Sequence, residues 1–307
     1  MFNLKNTRRA VVTGALAAAA LLPMGFAAQA KEAPKPAPKM WVIKDADSTI
    51  YLFGTFHLLK ADTQWKHAGI DKAFNSADTL YLEVADLDDQ AAAQGLVMKY
   101  GIDPTKSLLT PYTPEELEVI RGVYKKYGLD VDQLTMLKPW LASLMLMMKQ
   151  MEVLGFDPNA GVDKTLLAQA RAKNLPVKGL ETMDEQMKIL ATSLVDEQAK
   201  SLLDAAKEDT KTRALFDDML KAWSTGDQKA LEKLLVDEMK TKTPKMYEAV
   251  LVNRNRNWIA PIKQILAGSG TQFIAVGAGH LAGPDSVQNM LKKEGVTVEA
   301  YDYQSAQ

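Results

Sequence analysis

The chain has 307 residues, 47% hydrophobic and 24% charged, a composition typical of folded domains that excludes a disordered or collagen-like polymer. Lys and Arg total 37 against 38 Asp and Glu, so no excess of basic residues indicates nucleic-acid binding. The absence of cysteine excludes disulfides, thiol catalysis and cysteine-type metal sites. Histidine chemistry is confined to three positions, His57, His67 and His280.

The first 30 residues have the pattern of an export signal. Basic residues including Arg8 and Arg9 precede an uncharged, alanine-rich stretch that ends in Ala28-Gln29-Ala30. A proline and a glycine interrupt this stretch, which favours a cleaved signal over a membrane anchor. Arg8 and Arg9 resemble a twin-arginine start, although Val11 stands where an aromatic residue is usual, so the export route stays open. We predict a cleaved signal over residues 1–30 and a periplasmic or secreted protein.

A stretch rich in Pro, Ala and Lys, residues 31–39, predicts an extended linker that does not pack into a core. No later stretch separates domains, so we predict one domain over residues 40–307. No second apolar run reaches the roughly 18 residues needed to cross a bilayer, and we expect no stable membrane insertion after signal cleavage. The sequence leaves the oligomeric state open.

Hydrophobic periodicity predicts strands near both ends of this domain and helices between them. The expected strands are 40–44 and 49–53 as a hairpin, then 79–84, 175–180, 271–276 and 296–301. The expected helices are 113–127, 139–152, 162–172, several segments within 183–239, one starting near residue 244, and 285–293. This order predicts an α/β or α+β domain, with a central mixed sheet from the N- and C-terminal segments and a large helical insertion.

Four side chains suited to chemistry follow predicted strands: His57, Glu83, Glu181 and His280. Ligands of α/β sheets bind outside the strand ends, so these positions favour a functional site. Each of the two histidines closes a Gly-x-x-His unit, in which glycine allows a sharp turn and histidine can bind a metal or transfer a proton. A turn or core histidine with satisfied hydrogen bonds is the plainer explanation for either ring taken alone.

The two glutamates differ in what their surroundings imply. Glu83 lies in an otherwise apolar and aromatic run, where a buried carboxylate needs a partner. An outward-facing position is the alternative, because Tyr81 and Glu83 alternate with the apolar residues of the strand. Glu181 follows a similar short strand, and a helix cap or a salt bridge is as consistent with its position as catalysis.

Arg254 lies on the apolar side of a predicted helix. Tyr247, Leu251 and Trp258 recur at helical spacing with Arg254, whereas Arg256 points away from that stripe. A guanidinium that faces inward requires an acid or an anionic ligand. A structural carboxylate and a bound substrate or oxyanion both satisfy this requirement.

A methionine-rich run lies in the predicted helix 139–152. Met145, Met147, Met148 and Met151 alternate with leucines there. Such a run in an exported protein is compatible with soft-metal binding, but its interleaving with leucine favours core packing.

Taken in order, these motifs resemble the TraB/GumN family, which is related to the Tiki metalloproteases and more loosely to haem-binding ChaN and erythromycin-esterase-like proteins. The matching segments are Gly54-Thr55-Phe56-His57, Leu82-Glu83, Gly179-Leu180-Glu181-Thr182, Arg254-Asn255, and Val276-Gly277-Ala278-Gly279-His280-Leu281 followed by Gly283-Pro284. They span residues 41 to about 300, which is nearly the whole expected domain.

The resemblance implies an internally duplicated α/β core and a cleft between the two Gly-x-x-His units. From the Tiki-like members it implies a metal-dependent peptidase, with His57, His280 and Glu83 binding Mn²⁺, Co²⁺ or Zn²⁺. Glu83 is then a catalytic residue, Arg254 is an anion-binding helper, and the partner is a peptide or protein substrate. Together with Glu83 and Arg254, we predict Glu181 as a catalytic candidate from its position after a strand. The alternative implied by ChaN is a non-catalytic periplasmic protein that binds haem, a metal or a peptide.

Overall fold

The computed structural model describes residues 36–192 and 195–304. The predicted signal over residues 1–30 and the first part of the predicted linker lie outside these residues. Within the described ranges, no helix combines the length and apolar character needed to cross a membrane.

A six-stranded mixed sheet forms the centre of the fold, as the sequence predicts. Its order is β6-β4-β7-β2-β1-β8, and a separate pair is formed by β3 and β5. The four strands β6, β4, β7 and β2 run parallel to one another, whereas β1 is antiparallel to both β2 and β8. The strands are β1 Met40–Lys44, β2 Ser48–Thr55, β3 Leu59–Lys60, β4 Thr79–Leu82, β5 Phe156–Asp157, β6 Val177–Gly179, β7 Gly270–Gly277 and β8 Val298–Ala300.

Helices dominate the chain between β4 and β7, which confirms the predicted insertion. The helices are α1 Ala68–Asn75, α2 Gln90–Gly101, α3 Pro114–Lys126, α4 Pro139–Val153, α5 Val162–Ala172, α6 Met183–Thr192, α7 Val195–Lys207, α8 Thr212–Ser224, α9 Gln228–Leu231, α10 Glu238–Lys242, α11 Pro244–Tyr247, α12 Asn253–Leu266 and α13 Val287–Lys293. Two π-helical segments, Glu232–Asp237 and Glu248–Val252, join α9 to α10 and α11 to α12.

Both faces of the sheet are covered, because successive side chains of β2 and β7 point to opposite sides. Phe53 and Phe273 face a cluster that includes residues of α1, α5 and α8. Leu52 and Ile274 face a second cluster with residues of α12 and α13. A further cluster lies among α3, α4 and α7, within the insertion. The fold is therefore a covered α/β sheet with an added helical layer.

Backbone contacts hold the loop that carries His57 after β2. The indole of Trp223 in α8 donates to the Gly54 carbonyl at 2.7 Å, and the Val162 N–H at the start of α5 donates to the Phe56 carbonyl at 2.9 Å. A Cβ at Gly161 would lie 2.2 Å from the carbonyl oxygen of His57. Only glycine therefore allows α5 to begin so close to this loop.

We expect Gly161→Ala to lower the free energy of unfolding by about 1–3 kcal/mol, because the added methyl forces the His57 loop away from α5. Chemical denaturation measures the change. Gly122→Ala is the matched control: it lies inside α3 with no atom within 4 Å of an added Cβ, and we expect it to leave stability unchanged or raise it. Equal stability of the two variants would contradict the close approach.

Candidate functional site

The four predicted strand-end side chains lie along one edge of the sheet. Glu181, Glu83, His280 and His57 follow β6, β4, β7 and β2, which are neighbours in that order. Because these strands are parallel, their carboxyl ends meet at the same edge, and the structure brings all four residues together there.

Arg254 of α12 lies between the two glutamates and engages all five of its N–H groups. Its Nε donates to Glu181, one terminal nitrogen donates to both Glu83 at 2.5 Å and Glu181 at 2.6 Å, and the other donates to the Val250 carbonyl and to His280 Nε2. The side chain is only 6% exposed. The predicted inward-facing guanidinium is confirmed, and its partners are two carboxylates of this chain. No N–H of Arg254 is left free for a substrate anion.

Glu83 is buried, so the outward-facing alternative is wrong. Oε1 accepts from the Gly277 N–H at 2.6 Å, while Oε2 accepts from Arg254 and from the Gln186 amide. Burial opposes ionisation of Glu83, but the positive charge of Arg254 and the Gly277 N–H outweigh burial and hold its pKa well below the usual range. Glu83 is therefore a carboxylate in the folded protein.

His280 is buried beneath the sheet edge as a neutral ring. Nδ1 lies 2.6 Å from the Asn255 Oδ1, and Nε2 lies 2.9 Å from an N–H of Arg254. Because Arg254 only donates, Nε2 must accept and Nδ1 must carry the proton. Burial lowers the pKa of His280 to about 3, which agrees with this neutral form. Trp258 packs against both Arg254 and His280.

His57 is the exposed member of the cluster, with 62% of its side chain accessible. Its Nδ1 lies 2.8 Å from Asp163 Oδ2, and the other oxygen of Asp163 accepts from the Thr55 hydroxyl at 2.6 Å. The negative charge of Asp163 raises the pKa of His57 to about 9. This pairing orients the ring and leaves Nε2 without a hydrogen-bond partner among the described residues.

The open nitrogen of His57 and the carboxylate of Glu83 flank Gly277. A Cβ at Gly277 would lie 3.1 Å from both His57 Nε2 and Glu83 Oε1. The two atoms are therefore no farther apart than twice this distance, which is within the span of one bridging water molecule. The glycine of the second Gly-x-x-His unit keeps this position clear of a side chain.

Two residues of the site, Asp163 and Gln186, were not predicted from the sequence. Asp163 lies on the buried stripe of α5 with Leu166, Leu167 and Ala170, so the argument that singled out Arg254 applies equally to this carboxylate. Gln186, which bridges the two glutamates, carries no comparable signal because it is half-buried and its partner Glu83 is 103 positions away in sequence.

The predicted metal ligands His57, His280 and Glu83 do not fit a shared ion in this arrangement. The Nε2 of His280 accepts from Arg254, and both oxygens of Glu83 accept from N–H donors. The positive guanidinium also lies where a cation would need to approach. Across the described ranges, no three His, Asp or Glu side chains are grouped to hold a metal ion.

These features define a class of protein: a covered α/β sheet whose parallel strands end in a buried Glu–Arg–Glu cluster and two histidines. The chain belongs to the TraB/PrgY/gumN family, whose sequence pattern it matches over residues 39–300. It is also 23% identical over 272 residues to an uncharacterized protein of Treponema pallidum (strain Nichols), covering 82% of this chain and 80% of that protein. No solved structure shows significant similarity to the chain.

We expect Arg254→Met to lower the free energy of unfolding by about 3–5 kcal/mol, because it leaves two buried carboxylates without their cation. Urea denaturation at pH 7 measures this loss. Arg256→Met on the same helix is the matched control: Arg256 forms an exposed pair with Glu248, and we expect a change within about 1 kcal/mol. Similar effects of the two substitutions would contradict the account of the buried cluster.

Proposed function

We propose that this protein is a hydrolase and that His57 accepts the proton of the attacking water. The observation that carries the proposal is the His57–Asp163 pair, which presents an oriented imidazole beside the Glu83 carboxylate at the carboxyl edge of the sheet. A histidine oriented by a carboxylate is a common general base in hydrolysis.

Water held between His57 Nε2 and Glu83 Oε1 attacks the carbonyl carbon of an amide or ester. One water proton passes to His57, and Asp163 stabilises the resulting imidazolium. When the bond from the carbonyl carbon to the leaving nitrogen or oxygen breaks, His57 returns the proton to that atom. The products are a carboxylic acid and an amine or alcohol.

Peptides are the first substrates to test, because the TraB/GumN resemblance extends to the Tiki peptidases. That resemblance also supports a metal-dependent reaction with Mn²⁺, Co²⁺ or Zn²⁺. The bonds of Arg254 to His280 and Glu83 support a reaction that proceeds without a metal bound to those residues. A metal-dependent reaction requires Arg254 to release both of them.

We expect cleavage of a mixed peptide library to rise with pH towards the His57 pKa near 9, because only the neutral ring accepts a proton. Asp163→Asn is expected to move the midpoint down towards 6.5, the ordinary value, and to lower the maximal rate about 100-fold or more. His57→Asn should abolish the reaction. Rates measured from pH 5 to 10 test these expectations.

His67→Asn is the matched control, because His67 caps α1 and asparagine is also a good cap. It should leave the rate unchanged. Activity that survives His57→Asn would contradict the role of His57. Activity lost to EDTA and restored by Mn²⁺, Co²⁺ or Zn²⁺ would instead support the metal-dependent reaction and contradict the metal-free one.

The second candidate function is a non-catalytic haem-binding protein. It is favoured by the exposed imidazole of His57, which is accessible as an axial ligand for haem iron. Haem titration distinguishes it from the hydrolase. A Soret shift that His57→Asn removes, together with no cleavage of any peptide, would support binding. The absence of a Soret shift would contradict haem binding.

We propose export for the same chain, from the basic start and apolar stretch of residues 1–30. The expected result is a processed protein that begins at Lys31 and is recovered outside the cytoplasm. Cell fractionation followed by N-terminal sequencing measures both properties. Recovery of the unprocessed chain in the cytoplasm would contradict export.

A further inference from the structure

An apolar pocket of about 710 Å³ lies beside the loop that carries His57. Its volume falls in the range of sites that hold a whole small ligand, roughly 300–1,000 Å³. The wall is largely hydrophobic and includes Leu58, Leu144, Met145, Met148, Phe156 and Pro158. The methionine-rich run is therefore only partly core: Met145, Met148 and Met151 all line this pocket, and of these Met151 is buried whereas Met145 and Met148 are half-buried.

The pocket and the reactive histidine share the same backbone segments. Leu58 follows His57 directly, and β3 begins at the next residue and pairs with β5, whose two residues also line the pocket. A Cβ at Gly161 would lie within 3.1 Å of carbonyl oxygens of both His57 and Pro158. A ligand in the pocket therefore lies next to the loop that presents His57.

The apolar lining of the pocket determines which ligands it can bind. Each peptide residue brings a donor and an acceptor that need partners when they are buried. The polar side chains of the wall lie in its solvent-exposed part: Lys149 and Glu152 pair there with 45% and 68% of their side chains accessible, and Asp157 is exposed. The buried part of the wall therefore offers a peptide no polar side chain. A hydrocarbon chain needs no such partners. At roughly 30 Å³ per group of water or methylene size, the pocket has room for about ten or more carbons.

We infer that the pocket binds a long hydrocarbon chain on the acyl side of the substrate, so that among amides and esters those with a fatty acyl group are cleaved fastest. This inference rests on the proposed hydrolase function. Water adds to the acyl carbonyl, the bond to the amine or alcohol breaks, and a free fatty acid and a protonated leaving group result. Flexible methionines suit chains that differ in length and bend.

Dodecanoate binding by calorimetry tests the pocket separately from catalysis. The full chain is expected to bind dodecanoate, and Met148→Glu to weaken binding at least tenfold because a carboxylate then faces the hydrocarbon. Met147→Glu is the matched control: Met147 is half-buried on the same helix but lies outside the pocket wall, and binding should change less than twofold. Met148→Trp, which keeps the wall apolar, should weaken dodecanoate more than hexanoate by filling the pocket.

The matching activity test uses N-acyl 4-nitroanilides with two to twelve carbons. The value of kcat/KM is expected to rise at least tenfold along the series, and the rise should disappear in Met148→Trp. The inference would be overturned if dodecanoate did not bind, or if Met147→Glu and Met148→Glu weakened its binding equally. It would also be overturned if kcat/KM did not depend on chain length. The inference would also be overturned if Met148→Glu changed the oligomeric mass measured by gel filtration and left dodecanoate binding unchanged. That result would indicate that the pocket binds a second copy of the chain. Binding that behaves as expected without turnover of any amide or ester would count against the hydrolase alone.

Discussion

The sharing of one buried guanidinium by two carboxylates is the constraint on which the site depends. Arg254 binds Glu83 after β4 and Glu181 after β6, so it fastens the ends of two neighbouring strands to α12. Without Arg254, these negative charges would be buried side by side, which costs several kcal/mol. The same guanidinium donates to His280 and thereby fixes which nitrogen of that ring carries the proton. The Arg254 side chain thus fixes the positions and the ionisation states of the buried site residues Glu83, Glu181 and His280.

The site consists of four buried side chains and one solvent-accessible side chain, His57. The side chains of Glu83, Glu181, Arg254 and His280 are at most 8% exposed, whereas the side chain of His57 is mostly accessible. The buried groups have no free donors, so they hold charge in place rather than bind a substrate anion. The Asp163–His57 pair reaches solvent and can exchange a proton. The proposed hydrolysis therefore depends on His57, with Glu83 supplying a fixed negative charge nearby.

Much of this arrangement follows from local sequence patterns. Alternating hydrophobicity predicts the strands that carry His57, Glu83 and His280, and helical spacing predicts the burial of Arg254. The patterns do not predict the pairing across the fold: Arg254 and Glu83 are 171 positions apart, and which acid meets which cation depends on strand order. Asp163 shows the same limit, because its burial is readable from the α5 stripe but its contact with His57 is not.

The ¹⁵N NMR spectrum of the His280 ring tests the central claim most directly, because the tautomer reports whether Arg254 occupies the space between the carboxylates and the ring. We predict a neutral ring with the proton on Nδ1 at pH 5, unchanged when Zn²⁺ is added. A ring that is protonated at that pH, that carries its proton on Nε2, or that gains a metal-bound Nε2 signal on addition of Zn²⁺ would contradict the account.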